Sequence, residues 1–281
     1  FRVSGSDSHE SELTDHLAAA GAKVMYGQAA ANITDDIDLV VYTAAVHTDN
    51  PEYAEVVRRG IPMMTRAELL GQIMKNYGEA IAISGTHGKT TTTSMVTEIL
   101  LAAEKDPTIS VGGILHSIGG NIRVGGPELF VTEACEYTNS FLSFFPTMEI
   151  ILNIEADHLD FFKDLDDIRH SFRLFAEKLD EKGLLIINRD IKNYEEISGG
   201  LPCRVVTFGH SKESDYSAAD ITYDAFARPT FTLVEQGKAA GTITLGVPGE
   251  HNVYNALAAI ATAKALGIPD TAIADGLLHF T

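Results

Sequence analysis

Residues 85–91 read Gly85-Thr86-His87-Gly88-Lys89-Thr90-Thr91, and the fold follows from what flanks them. Before them stands the apolar run Ala80-Ile81-Ala82-Ile83, which reads as a strand. After them, from Thr92 to Ala103, Met95, Val96, Ile99 and Leu100 recur at helical spacing. Strand, glycine loop, lysine, hydroxyl and helix is the layout of a phosphate-binding loop. Glycines let backbone N–H groups approach phosphate oxygens, and the helix N-terminus adds a positive dipole end. Lys89 is placed to reach the outer phosphates, and the Thr90 hydroxyl to ligate Mg²⁺. The generic pattern asks for glycine at position 83, which is Ile83, so the loop is a shorter variant. The competing reading is a glycine-rich turn capping a helix.

Working outward, residues 1–78 alternate strand and helix patterns. Val24-Met25-Tyr26 and residues 38–43 read as strands, and Glu52–Arg59 and Arg66–Tyr77 as helices. Such alternation predicts a parallel sheet covered by helices, a Rossmann-like unit ending near Gly78. A second α/β unit is predicted over 79–281. Leu129–Thr132, Glu149–Leu152 and Leu184–Ile187 are its apolar strands. Ile168, Phe172, Phe175, Ala176 and Leu179 form one face of a helix after Asp164. Residues 204–247 are Thr-rich and broken by turns, and predict a small antiparallel sheet built from 221–223, 230–234 and 242–247. Val253–Leu266 and Thr271–Phe280 close the pattern as helices.

The chain has 281 residues, 45% hydrophobic, with a formal net charge of −18. That balance describes a globular protein of about two domains and argues against binding to nucleic acid or anionic membrane. Its simplest consequence is solubility. The two cysteines, Cys135 and Cys203, form no disulfide framework and no zinc spacing, which fits a reducing cytoplasm. No apolar run approaches the ~18 residues of a membrane helix. Nothing in the composition sets an oligomeric state. Phe1 opens in a strand-like run without Met and Thr281 follows a helical pattern, so a fragment is expected.

Three further clusters carry chemistry. Val131-Thr132-Glu133-Ala134-Cys135-Glu136 ends a buried strand, where ligands of parallel sheets gather. A carboxylate there, beside a phosphate loop, can hold Mg²⁺, although a charged strand end is a common feature. Cys135 is expected to be a small buried residue rather than a nucleophile. Asn153-Ile154-Glu155-Ala156-Asp157-His158-Leu159-Asp160 brings three carboxylates and an imidazole to the same edge. Imidazole can ligate a divalent ion, and such a cluster can equally be a solvated loop. Gly249-Glu250-His251-Asn252-Val253-Tyr254-Asn255 opens a helix. Its amides at 252 and 255 share a face, suited to an adenine edge or to capping.

The heptapeptide resembles the ATP loop of the Mur ligases, which build the peptide stem of bacterial peptidoglycan. His87 in its third place resembles the branch acting on UDP-N-acetylmuramate, whether with L-alanine or with a recycled murein tripeptide. The stretch Glu133–Phe145 favours the L-alanine branch. The resemblance implies ATP contacts at Gly85, Thr86, His87, Gly88, Lys89, Thr90 and Thr91, and base contacts at His251, Asn252 and Asn255. It implies Mg²⁺ at Thr90 and Glu133, with Glu136 a weaker candidate, and a second Mg²⁺ at His158. Lys89, Glu133 and His158 are the implied catalytic set. Asn121 and Arg123, in the segment Gly119–Arg123, resemble a substrate loop, and Thr43, in the turn Thr43-Ala44, and Arg66 resemble positions of the UDP site. Asp7, after Gly5-Ser6, sits where a Rossmann-like fold places a ribose-facing acid. The implied activity is ligation through an acyl phosphate; a nucleotide-binding module without catalysis is the reading from another class. No match to the family's carbamoylated lysine is found. The family's initial glycine-rich turn and its third domain have no counterpart in the sequence, so efficient ligation by this chain alone is not expected.

Overall fold

The computed structural model describes residues 1–43 and 45–281, which fall into two compact units, 1–69 and 70–281. The first unit contains β1 (Ser4–Asp7), α1 (Glu12–Ala19), β2 (Lys23–Tyr26), β3 (Val40–Tyr42), α2 (Pro51–Arg59) and β4 (Met63–Thr65). β1 pairs with β2 and β3 with β4, both in parallel, as two separate ladders rather than one sheet. Local chemistry sets the helix ends. Ser11 and Thr14 form a capping box on α1. On α2 the Asn50 side chain caps the backbone N–H groups of Glu52 and Tyr53, Pro51 occupies the first turn, and Gly60 closes the helix at φ +66°.

α3 (Arg66–Met74) stops before the expected Tyr77. The Asn76 side chain donates to the carbonyls of Gln72 and Ile73 and takes over the last turn.

The second unit is built on one ten-stranded sheet, made of β5 (Glu79–Ser84), β6 (Thr108–Leu115), β7 (Gly120–Arg123), β8 (Leu129–Glu133), β9 (Met148–Ile151), β10 (Leu184–Asn188), β11 (Arg204–Phe208), β12 (Tyr216–Tyr223), β13 (Pro229–Glu235) and β14 (Lys238–Thr244). The spatial order is β14-β13-β12-β11-β10-β9-β5-β8-β6-β7. The strands β12, β11, β10, β9, β5, β8 and β6 run parallel; β7, β13 and β14 are antiparallel to their neighbours. The antiparallel strands therefore extend the main sheet and do not form a second one. Residues 120–123, read as part of a loop, are strand β7.

The helices are α4 (Lys89–Ala102), α5 (Leu165–Ala176), α6 (Glu195–Ser198), α7 (His251–Ala265) and α8 (Asp270–His279). One sheet face, carrying Ile81, Ile83, Val131, Ile150 and Ile186, shares a buried core with Met95 and Ile99 of α4 and Leu257 and Ile260 of α7. α4 and α8 approach closely at Gly276, where a Cβ would lie 2.6 Å from the Ile99 Cα. α5 buries Phe172 and Phe175, and Phe175 stacks on Phe141.

Two features of the sheet stand out. Glu149, in the middle of β9, is fully buried with no hydrogen-bond partner for either carboxylate oxygen. Burial pushes its pKa well above the ordinary value of 4.5. The seam between β11 and β12 has a single ladder pair, Phe208 with Tyr216. It is reinforced by side chains: Asp215 accepts from the Thr207 backbone N–H at 2.8 Å and from its hydroxyl at 2.9 Å.

Candidate active site at the strand ends

The C-terminal ends of β5, β8, β9, β10 and β11 converge, as ligand sites of parallel sheets do. The 85–88 loop follows β5, and its backbone runs close to its neighbours. A Cβ at Gly85 would lie 3.0 Å from the Leu152 Cβ, and one at Gly88 would lie 2.6 Å from the Asn255 Oδ1. Gly85 and Gly88 also have φ of +139° and +84°, which a side chain rarely adopts. Gly88 then caps α4, whose first residues are Lys89 and Thr90.

Asn153 clamps the loop from β9. Its amide accepts the His87 backbone N–H at 2.8 Å and donates to the His87 carbonyl at 2.9 Å. Thr86 is held in the same way, its hydroxyl accepting the Glu155 backbone N–H at 2.9 Å. The 153–160 segment thus shapes the loop as well as offering ligands to it.

Lys89 folds over the loop, donating to the carbonyls of Gly85 and Thr86, and its Nζ lies 3.2 Å from Glu136. Glu136 is buried and also faces His158, whose Nε2 is 3.9 Å away. Glu136 therefore pairs with the loop cation. His158 has φ +52° and lies against Tyr137, ring centroids 4.6 Å apart. The Tyr137 hydroxyl donates to Asp160 at 2.9 Å, and this acceptor raises its pKa.

Glu133 ends β8 and accepts the Gly112 backbone N–H. Gly112 and Gly113 lie beside these groups and were missed in the sequence. A Cβ on Gly112 would lie 2.8 Å from a Glu133 carboxylate oxygen, and one on Gly113 would lie 3.3 Å from the Thr90 Cγ2. The adjacent glycines were the available signal. They open room beside both Thr90 and Glu133, two hard oxygen donors. Among the described residues no three His, Cys, Asp or Glu side chains gather as a metal cage. That donor set fits Mg²⁺, which keeps waters and phosphate oxygens and needs only one or two protein ligands.

Cys135 is exposed, contrary to expectation. β8 ends at Glu133, so strand alternation does not reach position 135. Its thiol pKa is raised, first by desolvation and further by the Glu136 and Glu133 carboxylates, which disfavours a nucleophilic role.

A cavity of about 220 Å³ adjoins the loop, with His87, Gly88, Asn153, His251 and Asn255 in its wall. Asn188, Asp190, His210 and Tyr254 also line it; sequence reading missed all four, because they lie on three separate elements. Asn252 is buried, its amide donating to the Pro248 carbonyl while its oxygen accepts from Asn255. The two amides thus brace the start of α7, with Asn255 alone of the pair facing the cavity.

The structure does not bring Arg123 to this edge. Arg123, on the edge strand β7, pairs with Ile109 near the start of β6, and its guanidinium bonds the Pro107 carbonyl and Asp106, before the start of β6. Asn121 lies on β7 near the far end of β6, where Gly120 pairs with Leu115. In the first unit Asp7 ends β1, Thr43 follows β3 and Arg66 opens α3. Ala44 lies outside the described residues.

Loop, lysine, strand-end carboxylate and sheet order define an α/β protein of the phosphate-loop class. Residues 83–263 match the Mur ligase middle domain, and residues 1–78 match the Mur ligase family catalytic domain. The chain belongs to the Mur ligase family. It is 64% identical over 281 residues to UDP-N-acetylmuramate–L-alanine ligase of Lachnospira eligens, covering all of this chain and 61% of that protein. A relative of the same name from Agathobacter rectalis is 60% identical over 280 residues, again across 61% of its length. The chain thus spans about three fifths of the length of these curated relatives. Among solved structures, UDP-N-acetylmuramate-alanine ligase from Thermotoga maritima superposes with a TM-score of 0.83 at 32% identity, covering 99% of this chain and 62% of that one. UDP-N-acetylmuramate:L-alanyl-γ-D-glutamyl-meso-diaminopimelate ligase from Neisseria meningitides gives 0.88 at 26%, covering 100% and 91%.

Proposed function

We propose that this chain carries the ATP and UDP-sugar half of a cytoplasmic ligase that joins L-alanine to UDP-N-acetylmuramate. Residues 79–281 take ATP, and residues 1–78 take the UDP-sugar, with Asp7, Thr43 and Arg66 as contacts. The observation that carries this reading is the cation Lys89 held over a glycine loop beside Glu136, at the strand edge that also presents Glu133 and His158.

In the proposed reaction the lactyl carboxylate attacks the γ-phosphorus of ATP. An O–P bond forms, the bond to ADP breaks, and an acyl phosphate results. The L-alanine amine then attacks the acyl carbon, loses a proton, and expels inorganic phosphate to leave the amide. No side-chain nucleophile is required. Lys89, beside the transferring group, stabilises the spread negative charge. The loop N–H groups and the start of α4 orient the phosphates. Thr90 and Glu133 would hold Mg²⁺, with a second ion at His158, and bound Mg²⁺ supplies further neutralisation of phosphate charge. Asn153 keeps the loop in place.

The test is phosphate release with Mg²⁺-ATP and UDP-N-acetylmuramate, measured with L-alanine and, separately, with the L-Ala-γ-D-Glu-diamino-acid tripeptide. It is run on the chain and on a form extended with the rest of a relative's length. Turnover with L-alanine supports the proposal. Turnover with the tripeptide alone moves the protein to cell-wall recycling. Nucleotide binding with neither turnover leaves a binding module.

A further inference from the structure

His210 follows β11 and is held by two neighbours. Asp190 lies 2.7 Å from its Nδ1 and also accepts its backbone N–H at 2.8 Å. Its ring stacks on Tyr254 of α7, centroids 3.7 Å apart and planes inclined by 28°. Gly209 lets Asp190 come this near, since a Cβ there would lie 2.7 Å from the carboxylate oxygen. The Tyr254 phenol is pushed up to about 12, first by burial and then by the Glu250 and Asp190 carboxylates, so it stays neutral. These three residues line the cavity that also borders His87 and Gly88 of the phosphate loop.

A carboxylate at Nδ1 calls for a hydrogen on that nitrogen, and in the tautomer that carries it there Nε2 is a hydrogen-bond acceptor. An acceptor fixed beside a phosphate loop distinguishes purines. Adenine presents an amino donor at position 6, whereas guanine presents an oxygen acceptor there.

We propose that His210, with its tautomer set by Asp190 and its plane set by Tyr254, is a further base-selecting residue of this site, favouring adenine over guanine. This inference rests on the nucleotide reading given above. Phosphate and metal contacts are the same for both bases, so selection must come from the base wall.

The test is calorimetric titration of the protein with Mg²⁺-ADP and with Mg²⁺-GDP, for wild type, His210→Phe and Asp190→Asn. His210→Phe keeps a flat ring on Tyr254 and removes the acceptor. Wild type is expected to prefer ADP, and His210→Phe to weaken ADP about five- to tenfold while leaving GDP within about twofold. Asp190→Asn is expected to give a smaller loss of the same sign, as befits a positioning residue. His210→Ala, with circular dichroism on each variant, separates misfolding from lost selection. An unchanged ADP-to-GDP ratio in a folded His210→Phe, or equal loss of both nucleotides, overturns the inference while the nucleotide reading stands. Failure of wild type to bind ADP overturns the nucleotide reading and this inference together.

Discussion

Single residues at the loop tolerate little change. Gly88→Ala places a methyl group 2.6 Å from the Asn255 Oδ1 at a φ of +84°. The expected result is a destabilisation of about 1–3 kcal/mol and loss of measurable ADP binding, read by urea unfolding and calorimetry. Asn153→Ala removes both hydrogen bonds to the His87 backbone. About a tenfold weaker ADP affinity is expected, with a fall in stability of about 1–2 kcal/mol. If affinity is unchanged, the clamp does not organise the loop. The heptapeptide was legible in the sequence because its chemistry is contiguous. Glu133 was readable as the charged end of an apolar run, and residues 153–160 as a cluster of carboxylates and an imidazole after one. Asp190, His210 and Tyr254 were not legible, since only the pairing of β10 with β11 and the docking of α7 bring them together. Gly112 and Gly113 were visible as residues, but their purpose depends on Glu133 and Thr90 across the sheet.

Elements with strong period were readable, and those with mixed composition were not. β5, β8, β9 and β10 are short apolar runs, and each was located within a residue or two. β6 was missed because its second half, Gly112-Gly113, lacks the branched side chains that mark a strand. Glu149 makes β9 the least expected of the core strands. Its folded pKa lies above its unfolded value, so the folded state binds the extra proton. The stability tied to that proton is complete below about pH 4.5 and is lost as pH rises toward the folded pKa. Glu149→Leu is therefore expected to stabilise the protein at pH 8 by about 1–3 kcal/mol, with little gain at pH 4.5. Equal gains at both pH values would refute this assignment. At the α4–α8 contact, Gly276→Ala pushes against the backbone of Glu98 and Ile99, and a loss of about 1–3 kcal/mol is expected from thermal melts.

At the scale of the whole molecule, a net charge of −18 sets a self-repulsion that salt screens. Raising NaCl from low to physiological concentration is expected to raise the melting temperature by about 2 °C; a fall would mean that surface ion pairs dominate. The breadth of the sheet has a further consequence at the seam between β11 and β12, where one ladder pair and the Thr207–Asp215 side chains do the joining. Backbone amides in β13 and β14 are protected through bonds to one another, so their exchange with deuterated solvent need not await opening of the central strands. Asp215→Ala is expected to accelerate exchange in β12–β14 while β5, β9 and β10 keep their protection. The broad sheet would then behave as two cooperative blocks, with the strands around the phosphate loop in the slower one.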